Sequence, residues 1–448
     1  MAGSRDDSPV GRARRVPANR VERFFRLGLT TGSMAASAAF DGARRLLEGE
    51  TPKFSELLFS GRNSEQLAES LGRMRGAAMK LGQLLSLEGG TFLPEGFSEA
   101  LERLRSAGDT MTERQLHGVL SREYGSSWRG RFRDFDETPV AAASIGQVHR
   151  VSAQDGRDLA LKVQFPGVAQ SIAGDVDNLA LLLRTTGIVP TGYDLDPLIE
   201  EVKRQLRHET DYLAEAKNLA DYGSLCADEP RVKLPGPHPD LCTERILAMD
   251  FVEAEPLSVL WEGGFRQELR DEIATLAQRL VLRELFEFRI MQSDPNFDNY
   301  MFDLCGETLV LLDFGSTVSV SGELAGRYRE LIRASLEDDF DRIGELTVEF
   351  GWLGGDESEE QIRGLAEFLW LAMEPLRAPG KYDYGASDLI ERIQAHGMAL
   401  TFEKGLRRPP PPEVVFIHRK LAGTYLLCTK LGARVDSGQM TLEVLGQS

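Results

Sequence analysis

"PVAAASIGQVHRVSAQDGRDLALKVQF", residues 139–165, decides how this chain is read. Asp155-Gly156 is a strong hairpin signal, and the residues on either side read as antiparallel strands. With "FRDFDETPV" ahead of it, the stretch predicts strand, turn, strand, turn, strand. The first turn holds Ala141, Ala142, Ala143 and Ser144, where a loop over nucleotide phosphates ordinarily has glycines. Glycine tolerates φ > 0 and lets backbone N–H groups come close to phosphate oxygens, whereas each alanine Cβ disfavours that conformation. Two readings stand at this point: an altered phosphate loop, or a small-residue turn in a core.

Outward from this meander the pattern becomes helical. Residues 53–125 place apolar side chains three or four apart, as in "SEQLAESLGRMRGAAMKLGQLLSL". A second helical region runs from about Ser171 to Asp221, interrupted near Gly187 to Pro197. "CTERILAMDFVEAE" predicts a strand ending in an acidic linker, and from about Leu257 the chain is mainly helical except for "YMFD" and "TLVLLDFG". Pro409 to Pro412 form a stiff spacer leading into the helix "EVVFIHRKLAGTYLLCTKL".

The totals exclude several classes. A chain of 448 residues is long enough for two or three lobes. A net charge of −18 argues against nucleic acid as a partner, because phosphate backbones require clustered cations. Four scattered cysteines show no CxxC spacing, and the six histidines form no HxxxH pattern, so neither a disulfide frame nor a transition-metal site is predicted. No run of 18 apolar residues and no apolar signal core appear, which predicts a cytoplasmic protein without a membrane span. "GRARRVPANRVERFFRLG" sets six arginines against one glutamate. That arm reads either as a solvated tail or as a contact with an anionic membrane surface, peripheral on its inner face. The small-residue helix "LGLTTGSMAASAAFDGA" follows it.

Five features then fall in the order that ATP phosphotransfer requires: the alanine loop, Lys162 in "LALKVQF", the acidic "HETDYLAEAKN", "MQSDPNFDNY" and "LLDFGS". A lysine on a strand beneath the loop can bridge the α- and β-phosphates if an acid holds its ammonium. Asp294 provides a carboxylate near the γ-phosphate, and Asn299, five residues on, an amide oxygen for a hard cation. Asp313 supplies a carboxylate for Mg²⁺, which prefers oxygen ligands. Each motif is weak alone; the ordered set is strong. Met249 would sit behind an adenine, Ala160 would cover it, and backbone groups of Asp250 and Val252 would face its edge.

On "MKLGQLLS", "AAASIGQVH", "LALKVQFPGVAQSI", "ETDYLAEAKN", "MQSDPNFDNY" and "LLDFGS", the chain resembles the UbiB/AarF-domain family of atypical kinase-like ATPases, in its branch similar to the coenzyme Q biosynthesis kinases. The resemblance runs from about Val16 to Gly432. It implies an α+β, protein-kinase-like bilobal fold: a small antiparallel-sheet N-lobe, a helical C-lobe, and an N-terminal helical extension, carrying the family's KxGQ motif, packed over the active site. The expected divisions are 1–45 for the arm and small-residue helix, 46–135 for the extension, 136–250 for the N-lobe and 251–448 for the C-lobe. Lys80 and Gln83 of the KxGQ motif, three apart, share one helix face. Glu209 and Asp211 of the family's ExD motif, two apart on a helix, turn to nearly opposite sides. The expectation is that Glu209 pairs with Lys162 while Asp211 faces the cation or Lys80.

After "DFGSTVSVSGELAGRYREL" no APE segment follows, and Gln292 and Ser293 stand where protein kinases have His-Arg. Both features point away from a peptide acceptor and leave water, a lipid precursor or a small molecule. The resemblance implies ATP or ADP with Mg²⁺ as cofactors, quinone-biosynthesis enzymes or lipid precursors as partners, and an altered nucleotide preference with slow turnover. A nucleotide-dependent scaffold or chaperone for a quinone-biosynthesis complex is the alternative.

Overall fold

The computed structural model describes residues 76–78, 80, 110–185, 195–294, 296–406 and 410–446. The arginine-rich arm, the small-residue helix and Gln83 lie outside the described residues. The chain divides into two compact units, Met1–Lys217 with Pro235–Val252, and Asn218–Leu234 with Glu253–Ser448.

The first unit is built on an antiparallel sheet. Helix α1 (Glu113–Tyr124) opens with a capping box in which the Thr112 side chain accepts from the Gln115 backbone N–H. It buries Leu116, Val119, Leu120 and Tyr124, a spacing that lines one helical face. Strands β1 (Phe132–Phe135), β2 (Ala141–Ala142), β3 (Gly146–Ala153), β4 (Asp158–Gln164) and β5 (Ile246–Asp250) follow. The sheet order is β1-β3-β4-β5, with β2 paired to β3. The hairpin between β3 and β4 turns through Gly156, whose φ of 91° only glycine adopts freely. Helices α2 (Val168–Thr185), α3 (Asp196–Glu209) and α4 (Tyr212–Leu225) come between β4 and β5, and the division between the units falls inside α4.

Register separates the two faces of this sheet. Val151 pairs with Leu159, Leu161 with Ala248, and Val163 with Ile246; all of them pack with α1 in one buried cluster. Directly opposed residues share a face, so Val148, Lys162 and Leu247, with Ala160 and Met249, occupy the other one. Leu159, Leu161 and Val163 are wholly buried, and each contributes about 1.5–3 kcal/mol by burial. A one-residue slip would strip all three from α1, so the core fixes the face on which Lys162 stands.

The second unit is mainly helical. Helix α5 (Gln267–Arg283) widens into a π turn, Glu284–Phe288, and leads into strand β7 (Ile290–Gln292). The short strand Val232–Lys233 and strands β9 (Thr308–Leu311), β8 (Tyr300–Asp303) and β6 (Glu255–Pro256) form a four-stranded sheet in that order. Strand β10 (Thr317–Ser319) pairs with β7. Apart from a two-stranded pairing of Tyr382–Asp383 with Arg434–Val435, the rest is mainly helical: α6 (Gly322–Leu336), α7 (Phe340–Glu349), α8 (Glu359–Ala372), α9 (Leu389–Phe402), α10 (Pro412–Leu431) and α11 (Ser437–Val444). Pro411, at φ −55° and ψ 145°, delivers the chain in extended form to Pro412, the first residue of α10.

The sequence reading allowed only two strands beyond Leu257, at "YMFD" and "TLVLLDFG". Both form, as β8 and β9, but β7, β10 and the paired strands Tyr382–Asp383 and Arg434–Val435 are additional, as is β6 in the stretch read as a linker. Runs of two or three residues are too short to display alternation; their pairing partners define them.

Candidate active site

In the first unit, the alanine loop is a tight hairpin. Ala141 pairs with Val148 and Ala142 with Gln147, and Ala143 N–H donates to the Gly146 carbonyl at 2.9 Å. No residue of the turn has positive φ, so alanines close it without left-handed backbone. Gly146 is required for another reason. A Cβ there would lie 2.4 Å from the Val163 carbonyl oxygen and 3.1 Å from the Tyr212 hydroxyl.

Beneath the loop, Lys162 is buried, and its Nζ lies 2.8 Å from Glu215 Oε1 on α4. Lys80, also buried, lies 2.7 Å from Glu209 Oε1, and the Ser144 hydroxyl donates to Glu209 Oε2 at 3.2 Å. This corrects the expected pairing of Glu209 with Lys162. Glu209 and Asp211 do not share a helix, because α3 ends at Glu209 and α4 begins at Tyr212. Asp211 sits in the break and accepts from the Ala214 N–H at 3.0 Å, as a helix cap. The next acid, Glu215, is one turn into α4 and meets Lys162; the expected contact of Asp211 with Lys80 gives way to the Lys80–Glu209 pair. Glu215 lies inside the quoted "ETDYLAEAKN", four residues after Asp211, and that spacing was the signal available in the sequence.

The segment at 76–78 and 80 is helical, and a Cβ at Gly76 would approach Ile145 Cγ2 to 2.9 Å. This helix therefore lies close against the alanine loop. On the Lys162 face, Ala160 opposes Met249 across β4 and β5. Asp250 N–H donates to the Gly236 carbonyl, so it has no donor to offer an adenine edge; its carboxylate meets His238. Val252 lies two residues beyond β5, half-buried.

In the second unit, strand pairing between β7 and β10 joins the loops that carry Asp294 and Asp313. Ser293 N–H donates to Ser316 O at 2.8 Å, one residue before Asp294. Leu312 N–H donates to the Asn299 carbonyl at 2.9 Å, one residue before Asp313. Asp313 has φ 61°, unusual for a residue with a Cβ, and its Oδ1 accepts from Gly315 N–H. The Gln292 side chain donates to the carbonyls of Leu312 and Asp313, at 3.0 and 2.6 Å. Phe314 is buried against Tyr222, with ring centroids 4.7 Å apart, and its carbonyl accepts from Asn218.

Behind these loops lies a buried polar cluster that the sequence reading missed. Glu284 accepts from the Tyr222 hydroxyl at 2.6 Å and from Gln292 N–H at 3.2 Å. Lys420, from α10, donates to Gln292 Oε1 at 3.2 Å and to the Tyr300 hydroxyl at 3.0 Å, and stands 3.5 Å from Glu284. Burial pushes the Glu284 carboxyl up, against the pull of Lys420. Burial works to lower Lys420, yet Glu284 and Tyr300 hold its ammonium above the ordinary value.

The donor chemistry can be tested against Mg²⁺. Among the described residues no group of three or more His, Cys, Asp or Glu could enclose a metal. Mg²⁺ does not need one, since it takes one or two carboxylates and completes its shell with phosphates and water. Asn299 is buried, with its Nδ2 lacking a hydrogen-bond partner among the described residues, and Asp313 offers a carboxylate. Hard oxygen donors fit.

A profile of the ABC1 atypical kinase-like domain matches residues 103–347. This chain belongs to that family. Among curated relatives, the ABC1 chain is 35% identical over 435 residues to the atypical kinase COQ8B, mitochondrial, of Rattus norvegicus, covering 96% of this chain and 81% of the relative. It is 32% identical over 431 residues to the atypical kinase COQ8, mitochondrial, of Saccharomyces cerevisiae, covering 96% and 85%. Among solved structures, the Rv3197 protein of Mycobacterium tuberculosis, determined in complex with erythromycin, superposes with a TM-score of 0.60 at 25% identity, over 85% of this chain and 95% of that one. The ABC1 chain has the expected kinase-like α+β construction, an antiparallel sheet in the N-terminal part and helices in the C-terminal part. Among its described residues no helix is long and apolar enough to cross a membrane.

Proposed function

We propose that this ABC1 chain is a Mg²⁺-dependent, ATP-using atypical kinase or ATPase that supports isoprenoid quinone synthesis, with a small-molecule or lipid-linked acceptor in place of a peptide. The observation that carries the reading is the buried Lys162–Glu215 pair on the sheet face away from the core. A strand lysine locked to a helix glutamate is the device by which kinases hold the α- and β-phosphates. In this role Glu215 orients the Lys162 ammonium. Ala160 and Met249 bound the adenine, and Ala141, Ala142, Ala143 and Ser144 form the turn over the phosphates.

In the second unit, Asn299 and Asp313 are the groups that would hold Mg²⁺, and Asp294 the carboxylate that would accept a proton from the attacking hydroxyl. When bound, the cation neutralises charge developing on the phosphoryl oxygens. The Lys80–Glu209 pair and its link to Ser144 tie the helical residues 76–78 and 80 to the alanine loop, a regulatory arrangement that restrains the loop. The relatives' names and the family resemblance support the assignment to quinone synthesis, and the arginine-rich arm supports peripheral association with an anionic membrane.

The direct test is ATP turnover by the full chain with and without Mg²⁺, anionic liposomes and quinone-precursor analogues. Turnover that needs Mg²⁺ and rises with liposomes and precursor is expected. No nucleotide binding under any of these conditions would end the reading. The second reading, a nucleotide-dependent scaffold, is favoured by the loop: a turn made of alanines keeps its N–H groups farther from phosphates than glycines would.

A further inference from the structure

Two charges in the second unit have no part in the proposed chemistry yet are nearly inaccessible to water. Glu284 is 0% and Lys420 2% exposed. They come from distant segments, the π turn after α5 and the middle of α10, and they meet behind β7. A buried ion pair is a poor source of stability, since its desolvation offsets much of its attraction. Its geometry suggests a different use.

An ammonium only donates hydrogen bonds. Lys420 must therefore face the oxygen of the Gln292 amide, which leaves the NH₂ end to face Leu312 and Asp313. The Leu312 carbonyl belongs to the peptide plane before Asp313, and the Asp313 carbonyl to the plane after it. The φ and ψ of a residue are the rotations between those two planes. One amide gripping both carbonyls thus fixes both torsions of Asp313, which sits at φ 61° against the preference of a residue with a Cβ. Glu284 completes the clamp by accepting from Gln292 N–H and by standing opposite Lys420.

We propose that Lys420 and Glu284 are positioning residues for Asp313, acting through the side-chain amide of Gln292. The inference rests on the reading of Asp313 as the carboxylate that holds Mg²⁺. Helix α10 would thereby set the geometry of a residue more than a hundred positions earlier.

The test is a Mg²⁺ titration of binding of a fluorescent ADP analogue to the full chain. Gln292→Glu keeps an acceptor for Lys420 but turns a second oxygen toward the two carbonyls. The double variant Lys420→Met/Glu284→Gln removes both charges together, so that no lone buried ion is left to unfold the protein. Each should raise the Mg²⁺ concentration at half-effect by about tenfold, the scale of one lost charge-assisted hydrogen bond. Affinity in EDTA should stay within about twofold, since neither the lysine nor the loop of the first unit is touched. An unshifted Mg²⁺ midpoint, or an equal loss with and without Mg²⁺, overturns the positioning role. Asp313→Ala is the control and should abolish the Mg²⁺ dependence. Should it leave that dependence intact, the metal reading itself fails, and this inference with it.

Discussion

Lys162 is paired with Glu215, not with Glu209: Nζ and Oε1 are 2.8 Å apart, and both side chains are buried. Glu209 is held instead by Lys80 and Ser144. The two buried pairs divide the acidic segment into separate tasks, which makes them separable by mutation.

Glu215→Ala strands the Lys162 ammonium in a buried site. Removing one member of such a pair costs about 3–5 kcal/mol, to be read by urea unfolding, and nucleotide affinity should fall with it. Glu209→Ala leaves the Lys162–Glu215 pair intact and should retain nucleotide binding. Equal loss of binding in both variants would contradict the division.

Gly146→Ala should be severe for steric reasons alone. The added Cβ would stand 2.4 Å from the Val163 carbonyl, and backbone cannot move aside as a side chain can. Overpacking of this kind costs about 1–3 kcal/mol. Gly76→Ala meets the Ile145 side chain at 2.9 Å and the Ser144 carbonyl oxygen no closer than 3.4 Å, and should cost less. Thermal melts of the two variants rank them.

Ala142→Gly frees the turn to bring N–H groups nearer to phosphates, at a stability cost of about 0.5–1 kcal/mol. The expected outcome is a changed ATP-to-ADP preference and a changed rate of hydrolysis. Unchanged values for both would show that the alanines are incidental.

His418 supplies a pH dependence. It is half-buried, with ring centroids 4.9 Å from Trp352 and 5.9 Å from Tyr328, and burial lowers its pKa from 6.5 to about 4. Between those values the unfolded chain takes up a proton that the folded chain refuses. Stability is therefore full above pH 6.5 and lost as pH falls toward 4. Wild type should lose about 2–3 kcal/mol more than His418→Phe between pH 7 and pH 4.5. Parallel pH profiles of unfolding would show that His418 takes no part.

Much of the fold could be read because its local signals were strong. Asp155-Gly156 marks a hairpin that forms, and "YMFD", "TLVLLDFG" and "EVVFIHRKLAGTYLLCTKL" become β8, β9 and α10. Strands β6, β7 and β10 were illegible because two or three residues carry no period, and their partners lie elsewhere in the chain. Of the proposed site residues, Lys162, Asp294, Asn299 and Asp313 were named from type and spacing, and Lys80 from the family resemblance. Their partners could not. The choice of Glu215 over Glu209 turned on a helix break at Thr210 and Asp211 that spacing alone does not show. Glu284 and Lys420 fall in stretches read simply as helical, and only their meeting across 136 residues of sequence gives them meaning.

Asp294 carries the central claim, and its conservative variant tests that claim most directly. Asp294→Asn should still bind the nucleotide, because the proposed phosphate lysine and metal residues are untouched, but it should lose Mg²⁺-dependent turnover. In cells that depend on this chain for quinone synthesis, the variant should then fail to restore quinone levels. Full restoration by a variant that binds but does not turn over ATP would contradict catalysis as the function and leave the scaffold in its place.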